Sequence, residues 1–280
     1  MAAIALGLSA SGAPAAGQPQ FGTGVQLVEV YASVTDERGE PLEGLRREQF
    51  RVAEDGRPQE VATFIEADFP LSVALAVDRS WSMAGERLQQ ARRAARTLLN
   101  ALRPDDQAMV IAISAQVETV APLSTDRAVQ LDALDGLDPW STTALHDAIL
   151  LAIDRVQAGT GRRALVLVSD GVDRYSTAQA ADVLARARAS DVMVYPVVLG
   201  RTRPPLMAEL AVLTGGRSFL ARDQRQLDDA MRAIARELRS QYLLGYSPDR
   251  PLGSGEWRSI RVAVDEPRAR VRARDGYIAD

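Results

Sequence analysis

The chain contains no cysteine. That excludes a disulfide framework, a thiolate metal site and a cysteine nucleophile. It leaves open both the cytosol and an export route in which folding avoids oxidation chemistry. Histidine is nearly absent: His146 alone is available to an acid–base mechanism. No apolar run approaches the ~20 residues that a membrane-spanning helix needs, so no transmembrane segment is expected. A basic excess is also missing. The 33 Lys+Arg against 37 Asp+Glu give a formal net charge of −4, which argues against a nucleic-acid partner.

What is present is ordinary for a globular protein. The 280 residues are 46% hydrophobic and 25% charged, enough to bury a core in one or two domains. Residues 1–20, MAAIALGLSASGAPAAGQPQ, hold no charged side chain. A short apolar run at 2–8 precedes small residues, as in the later part of a secretory signal with a cleavage zone near Ala16. The positively charged start of such a signal is missing, so a disordered tail is the alternative. The expected location is periplasmic or secreted, or cytoplasmic if this segment is not a signal.

Residues 25–35 alternate, with Val28, Val30, Ala32 and Val34 on one face, as in a half-buried strand. Two short strands, 48–54 and 59–66, flank Asp55-Gly56, a hairpin signal. From Leu71 the pattern changes. Nearly continuous apolar runs at 71–77, 108–113, 164–169 and 192–199 read as strands covered on both faces. Helical stripes fall at 86–102, 143–156, 178–188, 205–213 and 227–239, with an edge strand expected at 117–122 and a short strand at 217–220. Alternating strands and helices imply an α/β, doubly wound, mainly parallel sheet flanked by helices. Residues 242–246, 257–264 and 268–274 return to β. The expected organisation is a tail (1–20), an N-terminal β segment (21–69), an α/β domain (70–240) and a C-terminal β segment (241–280). The two β segments are expected to pair into one small sheet module.

In an open parallel sheet, ligands sit outside the carboxyl ends of the strands. Two such ends carry aspartate: the first α/β strand runs into Asp78-Arg79-Ser80-Trp81-Ser82, and the 164–169 strand into Asp170-Gly171. Carboxylates and hydroxyls are hard oxygen ligands suited to Mg²⁺. Asp78, Ser80 and Ser82 at i, i+2 and i+4 can converge their oxygens in a loop.

These residues resemble the metal-ion-dependent adhesion site of the von Willebrand factor A domain. That motif is Asp-x-Ser-x-Ser, then a distant Thr, then Asp-Gly; here Asp78, Ser80, Ser82, Thr143 and Asp170 match it in order. The likeness covers about residues 70–239. It implies a Rossmann-like fold, a bound Mg²⁺ (or Mn²⁺) held by those five residues, and a protein partner that presents an acidic side chain to the ion. Flanking segments such as Phe50–Gly56, Tyr242–Tyr246 and Val271–Tyr277 resemble a narrower subgroup of secreted bacterial proteins, often acidobacterial. Two positions depart from the family pattern. Trp81 replaces a glycine between the serines, and Ser141-Thr142 replace glycines before the threonine. Trp81 is read either as part of a partner-facing rim or as a ring folded against the sheet edge.

Blander readings stand beside these. Asp78 and Asp170 could each cap a helix. His146 reads as a surface or helix-packing residue, since no Gly-x-Ser-x-Gly elbow accompanies it. Gly159-Thr160-Gly161-Arg162-Arg163 lacks the lysine of a phosphate-binding loop. Arg268, Arg270, Arg272 and Arg274 read as a solvated strand face protecting an edge. The function expected is therefore non-enzymatic, metal-dependent protein binding. A metal-dependent phosphohydrolase in the same crevice and a passive envelope scaffold are the alternatives.

Overall fold

A computed structural model describes residues 27–66 and 69–280, so the N-terminal segment read as a signal or tail lies outside the described residues. In chain order the elements are β1 (Val28–Thr35), β2 (Phe50–Glu54), β3 (Arg57–Gln59), β4 (Thr63–Glu66), β5 (Leu71–Asp78), α1 (Glu86–Ala101), β6 (Gln107–Ile113) and β7 (Glu118–Ser124). Then come α2 (Arg127–Asp135), α3 (Leu145–Val156), β8 (Arg162–Ser169), α4 (Ala180–Arg188), β9 (Met193–Leu199), α5 (Pro205–Thr214), β10 (Phe219–Ala221) and α6 (Gln224–Arg239). The chain closes with β11 (Gln241–Tyr246), β12 (Trp257–Val264), β13 (Arg270–Arg272) and β14 (Gly276–Ile278).

The central sheet has the order β10-β9-β8-β5-β6-β7. Its pairs are parallel except for the antiparallel edge strand β7. Every residue of β5 and β9 is buried, because side chains alternate between two covered faces. Val73, Leu75 and Val77 point into a core closed by α1, α2 and α6. Ala74 and Ala76 point into the opposite core under α3, α4 and α5. This is the mainly parallel α/β sheet the hydrophobic runs imply.

One helix escapes the periodicity argument. In α2 only Gln130 and Leu134 are buried, so no apolar stripe marks it. Its anchor is polar instead: Gln130 Nε2 donates to the carbonyls of Ala108 and Ser124, both at 2.7 Å, stapling the helix over the β6–β7 edge. Asp126 caps its start through the amides of Ala128 and Val129.

The terminal strands form two sheets, not one. Both are four-stranded, with orders β13-β1-β11-β4 and β14-β12-β2-β3. They share a core that includes Val30, Val34, Phe50, Tyr242, Tyr246 and Ile260. The Asp55-Gly56 turn has φ of 47° and 77°, the left-handed pair a tight hairpin needs. Only β3 returns along β2, however; β4 crosses to the other sheet and pairs with β11. A 59–66 strand continuous with the hairpin is thus corrected to two strands in different sheets. The basic strand face is corrected as well. Arg268 sits in a turn at φ 64°, Arg272 is ion-paired with Glu237, and the Arg274 guanidinium packs 5.5 Å from the Tyr277 ring centre. Two of the four arginines therefore point into contacts rather than into solvent.

Candidate metal centre

Asp78 ends β5 with its side chain fully buried. One carboxylate oxygen accepts the Ser80 amide at 2.9 Å, and the other accepts the Ser169 hydroxyl at 2.6 Å. The chain then leaves the sheet through a single 3₁₀ turn, Trp81–Met83, which turns the two serine hydroxyls toward each other. Ser80 Oγ and Ser82 Oγ lie 3.1 Å apart, Ser80 buried and Ser82 exposed. Thr143, also buried, precedes α3. Asp170 follows β8, half-buried, and its carboxylate accepts the Val172 amide at 3.1 Å.

Backbone hydrogen bonds lace the three loops together at the carboxyl edge of the sheet. The Trp81 amide donates to the Ser141 carbonyl at 2.9 Å, and the Trp140 amide to the Arg79 carbonyl at 2.8 Å. The Thr143 carbonyl accepts the amides of Arg174 and Tyr175 at 3.0 and 2.9 Å. Ser141, where the family pattern has glycine, adopts a φ of 58°. The backbone keeps a left-handed turn there despite the side chain.

Two residues outside the motif hold this edge in place. Ser169 bridges Asp78 to the Gly171 amide, which reaches its hydroxyl at 3.0 Å. Asp173 accepts the amides of Leu145 and His146 at 2.8 and 3.3 Å, so it caps α3 from a distant loop. Burial alone would raise the Asp173 pKa, but hydrogen bonds from Ser176, His146 and Leu145 and the nearby imidazole together leave it lowered. Sequence spacing could not flag either residue, because their partners lie in other elements.

The electrostatics of Asp78 are set by its position. Burial pushes its carboxyl above the usual range; hydrogen bonds from Ser169 and Ser80 oppose this, and the charge of Asp170 adds to it. Neither Asp78 nor Asp170 has an ion-pair partner within 4.0 Å among the described residues. A buried carboxylate with a second one beside it and no neighbouring guanidinium is an incomplete arrangement. Two carboxylates and three hydroxyls are the donor types a hard divalent ion takes, and so few protein charges suit an ion that keeps several waters. No group of three or more His, Cys, Asp or Glu that could hold a metal occurs among the described residues, so the hydroxyls are essential to this fit.

Around the crevice, large apolar side chains stand in solvent. Trp81 is 64% exposed, Tyr175 63%, Trp140 41% and Val172 40%. Trp81 is therefore not folded against the sheet edge. Arg79 lies under this collar, 5.4 Å from the Trp140 ring centre and paired with Glu118 at 2.8 Å. His146 is turned away from catalysis on any serine of the motif: its Nδ1 meets the Ala178 carbonyl at 3.0 Å and Asp173 at 3.8 Å.

Residues 73–172 match the family model of the von Willebrand factor type A domain. The matched stretch runs from β5 through β8 and contains all five residues of the strand-end crevice just described. No curated protein sequence matches this chain. Among solved structures it is similar to a von Willebrand factor type A protein from Catenulispora acidiphila, with a TM-score of 0.56 at 14% identity, covering 92% of this chain and 75% of that one. It is also similar to the conserved hypothetical protein BatB from Bacteroides thetaiotaomicron (TM-score 0.51, 21% identity, 60% of this chain and 97% of that one). A third is the vWF domain of the type V pili tip protein Mfa5 from Porphyromonas gingivalis (0.53, 12%, 61% and 96%). At these identities the likeness is one of fold. The first match spans more of the chain than the α/β sheet alone holds.

Proposed function

We propose that the protein is a metal-dependent protein-binding module of the cell envelope or exterior. A divalent cation, Mg²⁺ or Mn²⁺, is held at Asp78, Ser80, Ser82, Thr143 and Asp170, and an acidic side chain of a partner protein completes its coordination. The observation that carries this reading is the buried Asp78 carboxylate, with no ion-pair partner within 4.0 Å among the described residues, beside Asp170 and the hydroxyls of Ser80, Ser82 and Ser169 at the end of the sheet. When bound, the ion supplies an electropositive centre for a carboxylate ligand. The chain's own groups fix that centre and shape its rim, where exposed Trp81, Trp140 and Tyr175 offer aromatic anchors for a partner surface.

Other observations support the same reading. A pilus tip protein is among the structures that share the fold. The described residues include no helix long and apolar enough to cross a membrane. The sole histidine is engaged elsewhere, its Nδ1 meeting the Ala178 carbonyl at 3.0 Å. Isothermal titration with Mg²⁺ and Mn²⁺ tests the reading: the native protein should bind one ion, and Asp78→Ala should show no specific heat. Equal heats from the two proteins would refute it.

A further inference from the structure

Beside the metal crevice lies a second cleft, about 590 Å³, between the start of α1 and the carboxyl ends of β9 and β10. Its walls are Arg87, Gln90, Arg201 and Arg222, with Leu199, Gly200 and Ala221 as the floor. The floor is closed by the Gly200 amide, which donates to the Ala221 carbonyl at 3.0 Å. No carboxylate lines it.

The arginines are free to meet a ligand. Arg87, Arg201 and Arg222 are exposed, and none has an ion-pair partner within 4.0 Å among the described residues. Arg87 Nη1 reaches only the Ser82 carbonyl, at 3.2 Å. Of the acids next to these arginines in sequence, Glu86 pairs with Arg93 at 2.8 Å, and Asp223 caps α6 through the Gln226 amide at 2.8 Å. On a chain of net charge −4 with no lysine at all, three unpaired guanidiniums around one cleft make a local positive site. Their planar forks suit carboxylates in particular.

Position ties this cleft to the metal centre. Arg87 is bonded to the loop that carries Ser82, and both sites open at the same edge of the sheet. The metal crevice lies over β5 and β8, and the cleft over β9 and β10, in the strand order β10-β9-β8-β5. Two strand spacings separate them, about 10 Å, which three residues of extended peptide span.

We infer that the partner is an acidic peptide segment bearing at least two carboxylates, one placed at the metal and the next three or four residues along seated among Arg87, Arg201 and Arg222. This rests on the metal-site reading for its first anchor; the second anchor stands on the cleft alone.

The test is fluorescence anisotropy of a dye-labelled hexaglutamate peptide in saturating Mg²⁺ at low ionic strength. The native protein binds, and binding weakens as salt is raised. Arg201→Gln combined with Arg222→Gln, at exposed positions that leave folding intact, weakens binding about tenfold while Mg²⁺ affinity is unchanged, because two exposed ion pairs are lost. Asp78→Ala removes the metal-dependent part and keeps a salt-sensitive remainder. Equal affinity of the double arginine variant overturns the cleft, and leaves the metal reading standing if the binding still needs Mg²⁺. Failure of the native protein to bind the peptide, while still titrating with Mg²⁺, overturns it too. So does displacement of the peptide by micromolar inorganic phosphate, which would define a small-anion site.

Discussion

Asp78 concentrates the physics of this protein in one side chain. Folded, it is buried and its pKa is raised, chiefly by desolvation and further by Asp170. The sign of the linkage follows. As pH rises through the ordinary carboxylate range, the unfolded chain releases its proton before the folded one, so this group's contribution to stability falls until its raised folded pKa is passed. A divalent ion bound at the proposed site would remove that penalty. Mg²⁺ should therefore raise the melting temperature more at pH 7 than at pH 4. Asp78→Asn should melt higher than the native protein in EDTA at pH 7, since the variant buries a neutral group where the native chain buries an unpaired carboxylate. The variant should also lose all response to Mg²⁺; thermal scans with and without the ion read both. Asp78, Ser80 and Ser82 were legible because chemistry and spacing coincide in five consecutive residues. Ser169 and Asp173 were not, since a serine or aspartate in a loop has no signature until its partners, 91 and 28 residues away, are placed.

At the scale of elements, the apolar runs of β5, β6, β8 and β9 announce themselves because both of their faces are covered. The short elements do not. Helix α2 hides behind a buried glutamine, and β4 hides behind a hairpin signal that truthfully describes only its neighbours β2 and β3. The start of α3 shows how an element positions the site. Its own preceding residue, Ala144, offers no side-chain cap, and Asp173 supplies one from the loop that follows Asp170. That bond holds Thr143 and Asp170 in register. Asp173→Ala should cost about 1–2 kcal/mol in urea unfolding, as loss of a cap does. It should also weaken Mg²⁺ binding several-fold although Asp173 is not a ligand. Unchanged metal affinity would mean the loops keep their register without it.

For the whole molecule, the question is how two antiparallel sheets hold to an α/β layer. A buried polar network at the end of α6 does much of it. Glu237 accepts hydrogen bonds from Tyr195 at 3.1 Å and Ser33 at 3.2 Å and pairs with Arg272. Gln241 donates to Ser33 at 2.7 Å. These residues come from β9, β1, α6, β13 and β11, so the network spans both parts. Backbones also meet closely: a Cβ on Gly215, at φ 78°, would lie 2.6 Å from the Ala273 carbonyl carbon. Glu237→Ala should destabilise the chain by up to ~3 kcal/mol, because Arg272 and Tyr195 lose their buried partner. Mg²⁺ affinity should be unaffected, since α6 carries Glu237 to the opposite end of the sheet from Asp78. Chemical unfolding together with a metal titration measures both. None of this network was foreseeable from sequence, where Arg272 looked like one member of a regular basic face.

The proposed cation site consists of Asp78, Ser80, Ser82, Thr143 and Asp170. Crystals of the protein grown with Mn²⁺ should give one strong anomalous peak in that crevice, about 2.0–2.2 Å from the hydroxyl oxygens. A map from fully Mn²⁺-loaded crystals with no peak there, or with its only peak elsewhere, would exclude that site.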